Sequence, residues 1–240
     1  MTCVYCFSGS GRSRAVAEYF AAEFNSGVSD IGKLTPEQTA CETAVVVFPV
    51  YCQNIPHPVR RFLKELMAKY VVLVATYGRI SHGNVLWEAK KLISGEVIAG
   101  AYVPLGHSML REEQQLETAP LSVILDRISS PRAVVIPREG KNIFADLFPA
   151  LRSRLGVKMT RNFKCSECGI CQRECPMGAM KMPVRNIRHD RSVRVKTGRK
   201  CIRCLHCVYK CPMSAIDFRL NPALAAYLSG KRQDMLKIFL

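Results

Sequence analysis

The first 155 residues alternate between short, almost continuously apolar runs and stretches in which apolar side chains recur at helical spacing. The apolar runs cover residues 3–7, 43–48, 70–76 and 97–104, and a weaker strand pattern lies near residues 28–31. Runs of this kind are typical of strands buried on both faces of a parallel sheet. The helical stretches cover residues 16–24, 59–67, 85–93 and 144–155. This alternation predicts an α/β domain with a doubly wound, five-stranded parallel sheet.

Composition and the N-terminus narrow the class of protein. Of the 240 residues, 48% are hydrophobic and 22% are charged, which is typical of a folded globular chain. No apolar run approaches the roughly 20 residues that a membrane-spanning helix needs. The first residues lack the basic segment and apolar stretch of an export signal. The sequence therefore predicts a cytoplasmic protein without a membrane span.

Cysteines and charge both change near residue 160. Eight of the 12 cysteines lie between Cys165 and Cys211. Residues 161–240 contain 17 lysines and arginines against five acidic residues, whereas residues 1–160 contain 18 against 14. Disulfide frameworks belong mainly to small exported domains, so this cysteine cluster indicates metal binding. We predict domains at residues 1–157 and 161–220, followed by a helical tail at residues 221–240.

The cysteines form two copies of one motif, Cys-x2-Cys-x2-Cys-x3-Cys-Pro, beginning at Cys165 and at Cys201. In this spacing, three thiolates bind one cubane and the fourth binds the other. The predicted ligand sets are Cys165, Cys168, Cys171 and Cys211 for one [4Fe–4S] cluster, and Cys201, Cys204, Cys207 and Cys175 for the other. Zinc is the alternative metal, but four zinc ligands would leave the third cysteine and the Cys-Pro ending unexplained. Residues 161–220 resemble a bacterial two-cluster ferredoxin, which implies a small α+β domain.

A loop rich in glycine and hydroxyl groups follows the first predicted strand and precedes a predicted helix. Its sequence is Phe7-Ser8-Gly9-Ser10-Gly11-Arg12-Ser13. Backbone N–H groups at a helix N-terminus favour an anion. Arg14 stands where a dinucleotide fingerprint needs a small residue, and the Gly-Lys-Ser/Thr of a Walker loop is absent. The loop is interpreted as a cradle for a single phosphate, with an ordinary Gly/Ser turn as the alternative.

Two further loops follow strand ends, and together with the first they carry a resemblance. Residues 49–63 (Pro-Val-Tyr, Ile-Pro, Phe-Leu) and 77–83 (Tyr-Gly, Gly) match a flavodoxin variant whose phosphate loop is Phe-Ser-Gly-Thr-Gly-Asn-Ser, with Arg12 in place of its Asn. The resemblance implies FMN, with its phosphate held by Ser8, Gly9, Ser10, Gly11, Arg12 and Ser13. It also implies that the flavin ring is flanked by Pro49, Val50, Tyr51, Cys52, Gln53, Asn54, Ile55, Thr76, Tyr77, Gly78, Arg79, His82, Gly83 and His107.

The order of the two domains resembles the flavodoxin–ferredoxin fusion proteins of anaerobes. This resemblance implies a protein that passes electrons between two [4Fe–4S] clusters and FMN, linking one-electron carriers to a flavin that holds one or two electrons. The alternative is a flavoenzyme that reduces a small molecule at the FMN, with the clusters as internal wiring. No paired carboxylates or Cys/His arrangement supplies a proton donor for that reaction, so no catalytic residue is assigned and the carrier is favoured.

The segment between the two motifs is strongly basic. Residues 181–200 contain eight lysines and arginines and one acid, Asp190. These charges could balance anionic cubanes, dock an acidic redox protein or bind nucleic acid. The segment contains no Phe, Tyr or Trp to stack on bases, which disfavours nucleic acid. The expected partner is an acidic redox protein, either a carrier of ferredoxin type or a reductase.

Overall fold

The computed structural model describes residues 1–34, 39–112, 116–143, 145, 155–181, 193–230 and 235–240. The chain divides into two compact units. The first unit combines Met1–Asp146 with Lys231–Leu240, and the second unit is Leu147–Gly230. These units differ from the predicted domains, because the last ten residues of the chain belong to the first unit.

The first unit is built from alternating strands and helices. They are β1 (Thr2–Cys6), α1 (Arg12–Glu23), β2 (Val28–Asp30), β3 (Ala40–Pro49), α2 (His57–Glu65), β4 (Met67–Tyr77), α3 (Val85–Lys90), β5 (Glu96–Pro104) and α4 (Ser122–Ser129). Short 3₁₀ turns occupy Ser108–Leu110 and Ala119–Leu121. The five predicted strands and the first three predicted helices are confirmed. The helix predicted over residues 144–155 lies almost entirely outside the described residues.

The sheet of the first unit has six strands in the order β2-β1-β3-β4-β5-β9, where β9 is Lys237–Phe239. The first five strands are parallel to one another. The sixth strand pairs antiparallel with β5, at Gly100–Phe239 and Tyr102–Lys237. The predicted sheet of five parallel strands is therefore corrected to a mixed sheet with one antiparallel edge strand. In this order the strands are added in one direction from β1 to β2 and in the other from β3 to β5. Doubly wound sheets bind ligands at such a switch point, which here lies between β1 and β3.

Helices cover both faces of this sheet. On one face, α1 and α4 bury Val16, Phe20 and Ile124 against alternate residues of the central strands. On the other face, Phe62 of α2 packs on Tyr5 with ring centroids 4.9 Å apart. Because side chains of a strand alternate between faces, the strands need apolar residues at nearly every position. This requirement explains the continuous apolar runs in the sequence.

The end of the chain differs from the predicted helical tail at residues 221–240. A helix covers only Pro222–Leu228, and Lys237–Phe239 form the edge strand β9 of the first unit. This end of the chain is held against the first unit. The Tyr77 hydroxyl donates to the Met235 carbonyl at 2.8 Å, and the Lys237 ammonium lies 2.7 Å from the Glu139 carboxylate. The strand β9 also pairs with β5.

The second unit is small and of the α+β class, as predicted. Its elements are β6 (Val157–Arg161), α5 (Ile170–Arg173), β7 (Val193–Arg194), α6 (His206–Tyr209), β8 (Ile216–Leu220) and α7 (Pro222–Leu228). The three strands form an antiparallel sheet in the order β7-β6-β8. The two one-turn helices each lie within one of the cysteine motifs.

Within the described parts of both units, every helix is too short or too polar to cross a bilayer.

Gly95 provides a test of the packing between β4 and β5. A Cβ atom at Gly95 would lie 2.0 Å from the Ala68 carbonyl oxygen, whereas a Cβ atom at Gly27 would meet nothing within 4 Å. We expect Gly95→Ala to lower the unfolding free energy of the first unit by about 1–3 kcal/mol or more, because backbone must move. Gly27→Ala is the matched control and should change it by less than about 0.5 kcal/mol.

Fluorescence of Trp87 measures this effect in the first unit alone. Trp87 is the one tryptophan of the sequence and lies in α3. Urea titrations of both variants should therefore report the first unit without a signal from the second. Equal midpoints for the two variants would contradict the close approach at Gly95.

Candidate iron–sulfur site

The two cysteine motifs fold into the same local backbone. Residues 36 positions apart share left-handed conformations, with φ values of 56° at Glu167 and 55° at Arg203. A second matched pair is Gly169 (73°) with Leu205 (63°), and a third is Gly178 (54°) with Ser214 (47°). A left-handed residue turns the chain sharply within each motif, and in the first motif Cys165, Cys168 and Cys171 line one cavity.

Backbone pairing crosses between the two motifs. The N–H group of Gly198 donates to the Ala179 carbonyl at 2.7 Å, and the N–H group of Asn162 donates to the Ala215 carbonyl at 2.9 Å. Ala179 follows the last cysteine of the first motif, whereas Gly198 precedes the first cysteine of the second motif. Each motif therefore ends beside the beginning of the other, which is the connection that exchanged fourth ligands require.

A cavity in the second unit collects the first predicted ligand set. Its lining includes Cys165, Cys168, Cys171 and Cys211, together with Met213 and Ile216. Cys211 is the fourth cysteine of the second motif, and it joins the three cysteines of the first. The charges that act on the Cys171 thiol are those of the other three members of this set, Cys165, Cys168 and Cys211. Burial is the first cause, and these charges the second, of a raised pKa at Cys171.

The second predicted set is brought together in the same way. Cys204 and Cys207 both interact electrostatically with Cys175 and Cys201, and Cys175 belongs to the first motif. Burial raises the pKa of Cys204 to about 12 and raises the pKa of Cys207 further. A buried thiol keeps its proton unless a cation replaces it, so binding of metal here would release protons.

Hydrogen-bond donors surround the sulfur atoms in a duplicated pattern. The Ala179 N–H group lies 3.3 Å from the Cys175 sulfur, and the Ala215 N–H group lies 3.3 Å from the Cys211 sulfur. Both bonds span four residues after the last cysteine of a motif. Donors to sulfur stabilise the thiolate form and tune the potential of a bound cluster.

Two arginines that the sequence analysis did not single out also contact cysteine sulfur. Arg161 Nη1 lies 3.3 Å from Cys165 Sγ, and Arg203 Nη1 lies 3.5 Å from Cys201 Sγ. Both side chains are buried, at 2% and 7% exposure. The available signal was their position beside the motifs, but 17 basic residues in this part of the chain obscured it.

The donor set fits a cubane better than a single ion. Among the described residues, no three His, Cys, Asp or Glu side chains converge on one point as a single metal ion requires. Four thiols around a cavity instead suit a [4Fe–4S] cubane, whose four iron atoms each take one thiolate and so hold the thiolates apart. Each of the two sets could hold a [4Fe–4S] cluster through thiolates supplied by both motifs.

In the first unit, the predicted phosphate loop meets a second strand end. Gly11 has φ of 91° and caps α1, and its N–H group donates to Ser8 Oγ at 3.1 Å. Ser13 is buried and its hydroxyl lies 2.8 Å from that of Thr76 at the end of β4. The Val50 N–H group donates to the Thr76 carbonyl at 2.8 Å. The loops after β1, β3 and β4 therefore converge at the carboxyl edge of the sheet.

Arg12 and the next loop have contacts of their own. The Arg12 guanidinium donates to the Glu112 carbonyl at 2.6 Å. In the loop after β3, Cys52 (φ 51°) and Gln53 (φ 62°) form a tight turn closed by hydrogen bonds between Tyr51 and Asn54. Cys52 is exposed at the tip of this turn. The turn is fixed from outside, since the Asn142 N–H group donates to the Gln53 side chain at 2.8 Å.

The predicted ring-flanking residues divide into buried and exposed groups. Tyr77 and His82 are buried, and His82 stacks on Tyr102 with ring centroids 3.7 Å apart. Burial lowers the pKa of His82 and favours its neutral form. The His107 ring fills the space beside Gly78, where a Cβ atom would lie 2.3 Å from it. Tyr77 and His82 therefore brace the loop, and their contact with a flavin stays a prediction.

Comparison with known families identifies one part of the chain. Residues 164–216 match the family described as a 4Fe-4S dicluster domain. A search of curated proteins gives no match. The second unit thus contains a ferredoxin-type dicluster domain, and such a domain indicates electron transfer.

Replacement of Cys175 tests the exchanged ligands. We expect Cys175→Ser to disturb the cluster of Cys201, Cys204 and Cys207, because the removed thiol faces that set. Mössbauer and EPR spectra of anaerobically prepared protein should show one intact and one altered cluster. Cys211→Ser is the matched control, and it should alter the other cluster. Damage confined to the first-motif cluster in Cys175→Ser would contradict the crossed ligand sets.

Proposed function

We propose that this chain is an electron-transfer protein in which two [4Fe–4S] clusters exchange electrons with FMN. The carrying observation is the cavity that Cys211 shares with Cys165, Cys168 and Cys171, within a matched dicluster domain. When bound, such clusters pass single electrons and a flavin holds one or two. The chain would then link one-electron carriers to a two-electron centre.

The convergence of three loops supports FMN as the second cofactor. The parallel strand order β2-β1-β3-β4-β5 is that of doubly wound sheets that hold FMN at the β1/β3 switch point. The loop at this point, residues 8–13, leads into the 12-residue helix α1. The start of such a helix presents free N–H groups and a positive dipole to a phosphate.

The residues of the loops would divide the work of binding. Ser10 and backbone N–H groups of the loop other than that of Gly11, which donates to Ser8, would donate to the phosphate. Ser13 is bonded to Thr76 and would hold the loop in place rather than contact the phosphate directly. The turn at residues 51–54 would flank the flavin ring. It is held in place by Asn142 and by the Lys141 ammonium, which lies 3.0 Å from the Asn54 side-chain oxygen.

An acidic redox protein is the proposed partner. The excess of 12 positive charges in residues 161–240 exceeds the charge of about −4 that two oxidised cubanes would carry. The remaining positive charge would attract an acidic carrier and accelerate encounter. Within the basic segment 181–200, residues 182–192 lie outside the described residues, so the proposal rests on their charge alone.

Cofactor analysis of the anaerobically purified chain tests the proposed function. We expect about eight iron and eight sulfide atoms and one FMN per chain, as two cubanes and one flavin require. Ser10→Ala should weaken FMN binding by about 1.5–3 kcal/mol, the cost of a lost hydrogen bond to a charged group, and leave iron unchanged. Ser129→Ala, in the last turn of α4, is the matched control. Zinc without labile sulfide would refute the cluster assignment, and iron without flavin would refute the FMN.

Salt dependence tests the acidic partner. Electron transfer from a reduced acidic ferredoxin should slow as salt rises to 0.15 M, where screening acts beyond about 8 Å. Reversing Arg188, Arg191 and Arg194 to Glu should slow the reaction at low salt, as measured by stopped-flow absorbance. A control chain reverses Arg61, Lys64 and Arg132, which are exposed on the first unit. Equal rates in both chains would show that the basic segment is not the docking surface.

A further inference from the structure

The two halves of the dicluster domain use matched positions for different charges. Four residues before the first cysteine of each motif stand Arg161 and Thr197, and two residues after it stand Glu167 and Arg203. In both halves the side chains at these two positions contact each other. The arginine stands at the earlier position in the first half and at the later position in the second. Each half places one arginine at the sulfur of its first cysteine, but from opposite positions.

In the first half, the arginine faces a carboxylate. Arg161 Nη1 lies 3.3 Å from Cys165 Sγ and 3.9 Å from Glu167 Oε1. Arg161 is 2% exposed, whereas the Glu167 side chain is 39% exposed at the mouth of the cavity. The acid cancels part of the field that the arginine exerts on the neighbouring sulfur.

In the second half, the arginine faces a neutral hydroxyl. Arg203 Nη1 lies 3.2 Å from Thr197 Oγ1 and 3.5 Å from Cys201 Sγ. Among the residues that the structure describes, none places a carboxylate within salt-bridge distance of this guanidinium, whereas Glu167 lies 3.9 Å from Arg161. A guanidinium that is 7% exposed needs a compensating negative charge. The anionic sulfur at Cys201 is the group in reach.

We infer that Arg203 is a potential-setting residue for the cluster of Cys175, Cys201, Cys204 and Cys207. This inference rests on the proposed cluster binding and not on FMN. Reduction of a cluster by one electron adds negative charge, and a buried cation beside its ligand sulfur stabilises that charge. Arg203 therefore raises the reduction potential of its cluster, whereas the pair Arg161 and Glu167 has a smaller net effect on the other. The exchange of residues makes two clusters with identical ligand spacing respond differently to their surroundings.

Redox titration of the full anaerobic chain with dithionite and mediators, followed by EPR, tests this inference. Arg203→Gln should shift the midpoint of the second-motif cluster to more negative potential by at least 59 mV, a tenfold change in a one-electron equilibrium. The midpoint of the first-motif cluster should not move. Arg203→Lys keeps the positive charge, so its midpoint should stay close to that of the unaltered chain. A purely structural role of Arg203 would not predict this result.

Glu167→Gln is the second variant, and it predicts the opposite sign at the other cluster. Removal of the acid frees Arg161 to act, so the midpoint of the first-motif cluster should become more positive. The side chain of Glu167 is partly exposed, so this variant keeps the domain testable if Arg203→Gln fails to assemble. The Cys175→Ser and Cys211→Ser chains assign each signal to its cluster.

The outcomes separate the inference from the proposed function. Unchanged midpoints in Arg203→Gln, an equal shift in Arg203→Lys, or a negative shift in Glu167→Gln would overturn it. Should Arg203→Gln not assemble, the sign of the Glu167→Gln shift decides. Iron and sulfide analysis of the unaltered chain precedes the titration, so a failure of the proposed clusters is recognised there and not as a missing shift.

Discussion

The dicluster domain depends on one constraint, namely that Cys211 of the second motif lies in one cavity with Cys165, Cys168 and Cys171 of the first. The hydrogen bonds from Gly198 to Ala179 and from Asn162 to Ala215 hold the end of each motif against the beginning of the other. The sheet β7-β6-β8 extends the same pairing, since Arg161 pairs with Ile216 immediately beyond the bond between Asn162 and Ala215. The positions of the cysteines in each motif therefore depend on the backbone of both motifs.

The close packing of the cysteines sets the charge balance inside the dicluster domain. Eight thiols packed into one small unit repel one another once they lose their protons, and burial already raises the pKa of Cys204 and Cys207. Bound metal supplies the missing positive charge, so metal binding and folding of this unit are coupled. The buried Arg161 and Arg203 contribute to the same balance, because each guanidinium lies beside a cysteine sulfur. Arg161 and Arg203 therefore account for a part of the basic composition of the domain.

The strands of the first unit were predictable because a sheet covered on both faces leaves a continuous apolar run in the sequence. The helix α4 was not predicted, although Leu121, Ile124 and Ile128 have helical spacing, because in the described part of the chain the next strand of its own sheet is the distant β9. The edge strand β9 is three residues long, and its sequence Lys-Ile-Phe alternates too briefly to be distinguished from a helix end. Motif spacing predicted the dicluster domain, which the family match over residues 164–216 confirms, because the spacing reflects a local backbone. The arginine contacts depend on residues brought together by folding, and no local pattern reveals them.

Two residues at the end of β4 and in the loop after it have partners within the first unit. The rings of Tyr77 and His82 pack against that of Tyr102, and the flavin contact that the resemblance implies for them stays a prediction. The Tyr77 hydroxyl is bonded to Met235, and Glu139 lies 3.6 Å from His82 and 2.7 Å from Lys237. Residues 235–239 follow the dicluster domain in the chain, so the segment that leaves that domain also stabilises this loop. These contacts fix the Tyr77 and His82 side chains within the first unit.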